Sequence, residues 1–183
     1  MQVPIVKKQR PLEYVSVTLI RDEILNVLET AFASISSGKG KFFRQLQQNG
    51  RVQPEFHVTL IHRAAAAAHP TLWQKYSERH EQAGDAGDAG NKLGVCQVLL
   101  ERIVWDNRIM TIVARLVGED WECANEVAHV TVGTSGPEVK PKESNDLLKR
   151  WLLEGSGDES GIGEVAIEGR HVVDGVVRGI LSR

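Results

Sequence analysis

The chain has 183 residues, 42% of them hydrophobic and 25% charged, with a formal net charge of −2. That is enough to bury a sizeable core, and it excludes a disordered chain and a global polyanion binder, so any nucleic-acid contact must come from a local basic cluster. Cys96 and Cys123 are too few for a disulfide framework, no apolar run approaches a membrane span, and Lys7, Lys8 and Arg10 are followed by no apolar signal-peptide run. The two thiols read as reduced, which fits an intracellular protein. Residues 1–11 are expected to be a linker or an added tail, and residues 12–183 one domain.

Residues 13–20 alternate Tyr14, Ser16 and Thr18 against Val15, Val17 and Leu19, the period of a strand. Residues 21–36 place Ile24, Leu28, Ala31 and Ile35 at helical spacing, widened by Leu25 and Phe32. A break at residues 36–40 precedes a short helix over 42–48, which Asn49-Gly50 stops. The run 56–61 reads as a buried strand. Residues 63–82 are expected to be helical, with Pro70 at a start or break and Leu72, Trp73 and Tyr76 facing inward. The Ala-Gly-Asp repeat over 83–90 cannot bury anything, and a flexible loop between two halves is expected across 83–92.

The second half opens with β-rich runs over 95–105 and 108–117. Asp106-Asn107 between them tolerates positive φ and suggests a tight hairpin turn. A second buried strand covers 128–132. Ser144 reads as the N-cap of a helix carrying Leu147, Leu148, Trp151 and Leu152. After the Gly/Ser loop 155–163, residues 164–168 and 171–181 suggest a closing hairpin. Each half thus offers strands, a helix and one strand of special composition, which suggests two lobes across a groove.

Those special strands carry the chemistry. They contain His57-Val58-Thr59-Leu60 and His129-Val130-Thr131-Val132. Alternation puts each His on the same face as its Thr. A lone strand histidine is more often a satisfied core residue than a catalyst. Two of them, each with a Thr at i+2, would bury four polar groups at a cost unless those groups have partners, which makes packing alone a poor account of the pattern. Two imidazoles can take a proton from water and give one to a leaving oxygen, while two hydroxyls hold the non-bridging oxygens of a phosphate. None of this needs a metal or cofactor, and His57, His62, Cys96, Cys123 and His129 lack zinc-site spacing. His62 has the wrong parity to share a face with His57, which argues for a peripheral place. Secondary candidates for substrate contact are Tyr14, by stacking, Arg63, Lys140 and Lys142, by charge, and the loop residues Gly133 and Thr134. Their bland readings are a core aromatic, solvated charges and a turn.

The doubled H-x-T-x pattern resembles the two-histidine (2H) phosphoesterase superfamily. The segments 54–63, Val104-Trp105-Asp106, 128–134 and 140–145 resemble the C-terminal cyclic phosphodiesterase domain of fungal tRNA ligase. That resemblance implies an α+β fold with two pseudo-symmetric lobes of mainly antiparallel sheet, outer helices and a central groove. It implies a metal-independent 2′,3′-cyclic phosphodiesterase acting on tRNA 5′ half-molecules during splicing, alongside ligase and kinase domains of the same polypeptide, in nucleus or cytoplasm. His57 and His129 would be catalytic, Thr59 and Thr131 would bind phosphate, and His57 is favoured as the acid. A small cyclic nucleotide or a 2′–5′ linkage as substrate, and a non-catalytic RNA-end binding module, are the alternatives.

Overall fold

The structure, a computed structural model, describes residues 10–35, 38–84 and 91–183. The repeat expected to be a flexible loop lies mostly outside these, as does nearly all of the N-terminal linker.

Six antiparallel strands close into a ring in the order β1-β2-β5-β4-β3-β6. They are β1 (Leu12–Leu19), β2 (Phe56–His62), β3 (Asn91–Trp105), β4 (Ile109–Leu116), β5 (His129–Thr134) and β6 (Gly163–Leu181). The ring is fully laddered except between β2 and β5, which share one registered pair; on that side β5 also bonds to residues 52–53, the Gln53 amide donating to the Val132 carbonyl at 2.8 Å. The helices α1 (Arg21–Ala33), α2 (Lys41–Gln48), α3 (Pro70–Ala83) and α4 (Ser144–Glu154) pack outside it. The sequence suggests two facing lobes; the strands form one ring, and β2 and β5 are neighbours within it.

Burial follows the alternation. Val15 and Val17 of β1, Phe56 and Val58 of β2, and Val130 and Val132 of β5 are fully buried or nearly so and share one core with Ile24 and Leu28 of α1. Phe43 stacks on Phe32 at 5.3 Å between centroids, and Phe42 packs against the same core. Pro70 stands at the start of α3, after a 3-10 turn at Arg63–Ala65. A second cluster joins Val104, Ile109 and Val113 to Leu147 and Leu148, so α4 covers the outside of β4. This explains why residues 109–114 of β4 are buried on both faces and apolar except for Thr111, whose hydroxyl donates to the Val130 carbonyl at 3.0 Å.

Three local expectations need correcting. The β3–β4 turn contains no residue at positive φ; only glycines have it among the described residues. Its closure comes instead from the Asp106 carboxylate, which accepts from the amides of Arg108 at 2.8 Å and Ile109 at 2.9 Å. The closing hairpin is one long strand, β6, whose two parts both pair with β3. Between Ala166 and His171 it bulges opposite Glu101, with Gly169 at φ 76°, so the glycine bends a strand rather than ending it. Ser144 opens α4 but caps nothing.

Gly175 sits where β6 passes between β1 and β3, paired with Leu19 and Cys96. A Cβ there would lie 2.2 Å from Val17 Cγ1 and 3.1 Å from the Cys96 carbonyl oxygen. Gly175→Ala is therefore expected to destabilise the fold by about 1–3 kcal/mol through overpacking. Urea unfolding of the variant checks this, and an unchanged midpoint would show that the ring relaxes there freely.

Candidate active site

The strands β2 and β5 meet through a single registered pair, Val58 and Val130, both fully buried. In an antiparallel pair the next residues along lie level, so His57 comes level with Thr131 and Thr59 with His129. All four side chains point away from the two valines, and all four line one cleft of about 560 Å³. The two strands share only that one registered pair, and the cleft lies over the face that carries these four side chains.

Each histidine is held differently. His129 is 9% exposed, and its Nδ1 lies 2.9 Å from the Val127 carbonyl oxygen. A carbonyl can only accept, so Nδ1 carries the proton and Nε2 is left with a free lone pair in the neutral ring. Burial lowers the pKa of His129, while the bond to Val127 pushes the other way. Burial also lowers that of His57; Glu55, two residues earlier on the same face, raises it, and His129 lowers it further. Tyr14 of β1 stacks on His57 at 6.1 Å and on His62 at 6.2 Å between centroids. It buttresses the His57 ring from behind and is not part of the lining.

The wall opposite is tied down from three directions. Tyr76 of α3 donates to the Glu122 carbonyl at 2.6 Å and accepts from the Glu122 amide at 2.9 Å. The Ala124 amide donates to the Leu60 carbonyl at 2.7 Å, and the Cys123 thiol reaches the Thr59 carbonyl at 3.3 Å. The loop carrying Ala124 and Asn125 is thus zipped onto β2, and both residues line the cleft. Burial pushes the Cys123 thiol up, away from reactivity. On the third side, the Ser144 hydroxyl lies 2.9 Å from Thr131 Oγ1. Ser144 is fully buried, so this bond binds Thr131 to the first residue of α4, and the positive end of that helix faces the cleft beside Lys142 and Asn145.

The remaining candidates from the sequence divide. Lys142 lines the cleft, but Arg63, Gly133, Thr134 and Lys140 do not. Arg63 is exposed on the 3-10 turn after β2. Thr134 is buried, accepts from Arg51 Nη2 at 2.7 Å and donates to the Gly136 carbonyl, and Gly133 is pressed against the Arg51 carbonyl. These two residues hold residues 51–53 against β5 rather than cradling an anion. Lys140 donates to the Pro137 carbonyl at 3.1 Å.

His62 is the residue that parity misplaced. Tyr14 pairs with His62 and Val15 with Ile61, but Ser16 pairs with Thr59, so Leu60 is an extra residue in β2. That bulge reverses the alternation beyond it, buries both Leu60 and Ile61, and turns His62 into the cleft. Its Nδ1 accepts from the Ala64 amide and its Nε2 lies 3.3 Å from Glu13 Oε1. Gln53, Glu55, Asn125 and Asn145 also line the cleft, and their spacing in the sequence carries no signal of it.

Comparison with known proteins places the chain. The profile of the fungal tRNA ligase phosphodiesterase domain matches residues 2–181. tRNA ligase 1 of Schizosaccharomyces pombe is 29% identical over 117 residues, which cover 62% of this chain and 14% of that protein. A solved fungal RNA kinase aligns with a TM-score of 0.68 at 19% identity, covering 97% of this chain and 47% of that one. The chain therefore spans a small part of the curated relative and about half of the solved chain, and the second likeness is one of fold.

The buried histidines make stability depend on pH. Both titrate below the ordinary 6.5 when folded, so the unfolded chain binds protons that the native state refuses. Their contribution is fully present above about pH 6.5 and is lost as the pH falls through that value towards the folded ones. The urea midpoint of the wild type is expected to drop between pH 7.5 and 5, and a His57→Gln/His129→Gln double variant to drop less steeply. Equal slopes would contradict the burial argument.

Proposed function

The chain belongs to the fungal tRNA ligase phosphodiesterase domain family, and on that premise we propose that its cleft hydrolyses 2′,3′-cyclic phosphates at RNA 3′ ends. The products are a 3′-hydroxyl and a 2′-phosphate, and no metal takes part. The observation that carries this reading is that His57, Thr59, His129 and Thr131 line one cleft from two neighbouring antiparallel strands.

The geometry supports a division of labour. With Nδ1 committed to Val127, neutral His129 has only Nε2 to offer, as a base for the attacking water. The water oxygen bonds to phosphorus and its proton goes to His129. The bond from phosphorus to O3′ breaks, and O3′ takes a proton from His57. Burial works against a protonated His57, but Glu55 and the incoming phosphate anion favour it, so the acid is loaded when substrate binds. The hydroxyls of Thr59 and Thr131 hold the non-bridging oxygens as negative charge builds on them, and Thr131 is oriented for this by Ser144. Lys142 and the N-terminus of α4 add positive potential on the same side.

We read the one-pair seam between β2 and β5 as the line dividing the ring into the two halves of a two-histidine phosphoesterase. In the cell the substrate would be the tRNA 5′ half-molecule left by intron removal, with kinase and ligase domains on the same polypeptide.

The test is incubation, with EDTA present, with an RNA ending in a 2′,3′-cyclic phosphate. A 2′-phosphate product is expected, and a 3′-phosphate would overturn the assignment of the broken bond. Loss of activity in EDTA would overturn the metal-free mechanism, and binding without turnover would leave an RNA-end binding module. His57→Ala and His129→Ala are each expected to lower the rate by about 10²-fold or more while retaining the folded state. Near-full activity in either variant would rule out the two-histidine scheme.

A further inference from the structure

A second cavity of about 310 Å³ opens beside the cleft, and Ala124, Asn125 and Asn145 line both. It continues along α4, where Leu148, Lys149 and Leu152 contribute to its lining. Asn145, Lys149 and Leu152 stand at i, i+4 and i+7, so they form one stripe that leads away from Thr131 along the helix. The four residues from Asn145 to Lys149 rise about 6 Å along the helix, on the scale of one step along an RNA strand.

The side chains in this cavity have the character of a nucleotide site. Lys149 is exposed and makes no ion pair among the described residues, whereas its neighbour Arg150 is engaged by Asp106, Glu154 and the Ser160 carbonyl. Leu152 is apolar yet 50% exposed, and Leu148 below it is buried. An apolar shelf, two carboxamides and an unengaged ammonium suit a base, a ribose and a phosphate respectively. Glu126 also lines the cavity and disfavours a phosphate on its own side, which leaves the backbone path along Lys149.

We infer that this cavity receives the penultimate nucleotide of an RNA whose terminal cyclic phosphate sits in the cleft. The phosphate linking the last two nucleotides lies against Lys149, the penultimate base rests on Leu152, and Asn125 and Asn145 bond at the junction. The inference rests on the cyclic phosphodiesterase reading of the cleft, and it makes the preferred substrate an RNA strand rather than a cyclic mononucleotide.

The experiment compares a nucleoside 2′,3′-cyclic phosphate with a dinucleotide carrying the same end, for wild type, Lys149→Ala and Lys149→Arg. The wild type is expected to favour the dinucleotide by about tenfold or more in kcat/KM, about 1.4 kcal/mol. Lys149→Ala should erase most of that advantage and leave the mononucleotide unchanged, and Lys149→Arg should restore it. The salt dependence of dinucleotide binding should lose about 0.7 in log–log slope in Lys149→Ala, the signature of one lost phosphate contact on a single strand. Equal turnover of the two substrates, or an equal loss on both in Lys149→Ala, would overturn the inference. If neither substrate is turned over, the reading of the cleft fails. Calorimetry with the 2′-phosphorylated mono- and dinucleotide then decides the second cavity alone: equal affinities, or indifference to Lys149→Ala, would reject it.

Discussion

The contact between Val58 and Val130 is the constraint on which the site depends. It is the one registered pair joining β2 to β5, and it closes the ring. Two fully buried valines on the core side force the residues flanking them onto the other side. Those residues are two histidines and two threonines. Without that pair the two His-Thr strands would have no fixed register, and the four side chains would not be brought level on one face.

The same economy governs the protonation of the site. Burial depresses both histidines, which keeps them neutral near physiological pH and makes each sensitive to its immediate neighbours. One carbonyl, that of Val127, selects the tautomer of His129. One carboxylate, Glu55, works against desolvation at His57, and the Tyr14 ring limits how His57 can turn. The two rings are therefore unlike although their tetrapeptides differ only in the fourth residue. The difference comes from neighbours outside the motifs.

Support for the site comes from elements distant in the chain. α3 fixes the 122–125 wall through Tyr76, whose hydroxyl both donates and accepts and whose pKa burial pushes up to about 12. α4 brings Ser144 to Thr131, Asn145 to the cleft and Lys149 beyond it. The basic stretch that looks continuous in sequence is divided by helical geometry. Lys142 faces the cleft and Lys149 the second cavity, while Lys140 and Arg150 are taken up by local bonds.

The sequence by itself determined which residues could pair with which on one strand. The alternation of β1, β2 and β5, the helical stripe of α1 and the matched His-Thr spacing are local patterns, and local sterics enforce them. Only the tertiary structure decided what depends on register and on distant partners. A single extra residue at Leu60 moved His62 from the face its parity assigned into the cleft. A bulge at Gly169 made one strand of two predicted ones. Ser144 reads as a cap until Thr131 is seen beside it, and Gly133 and Thr134 read as an anion loop until Arg51 is seen to occupy them. In each case the deciding contact joins segments that no spacing rule connects, and a shift of one residue in a strand exchanges its two faces.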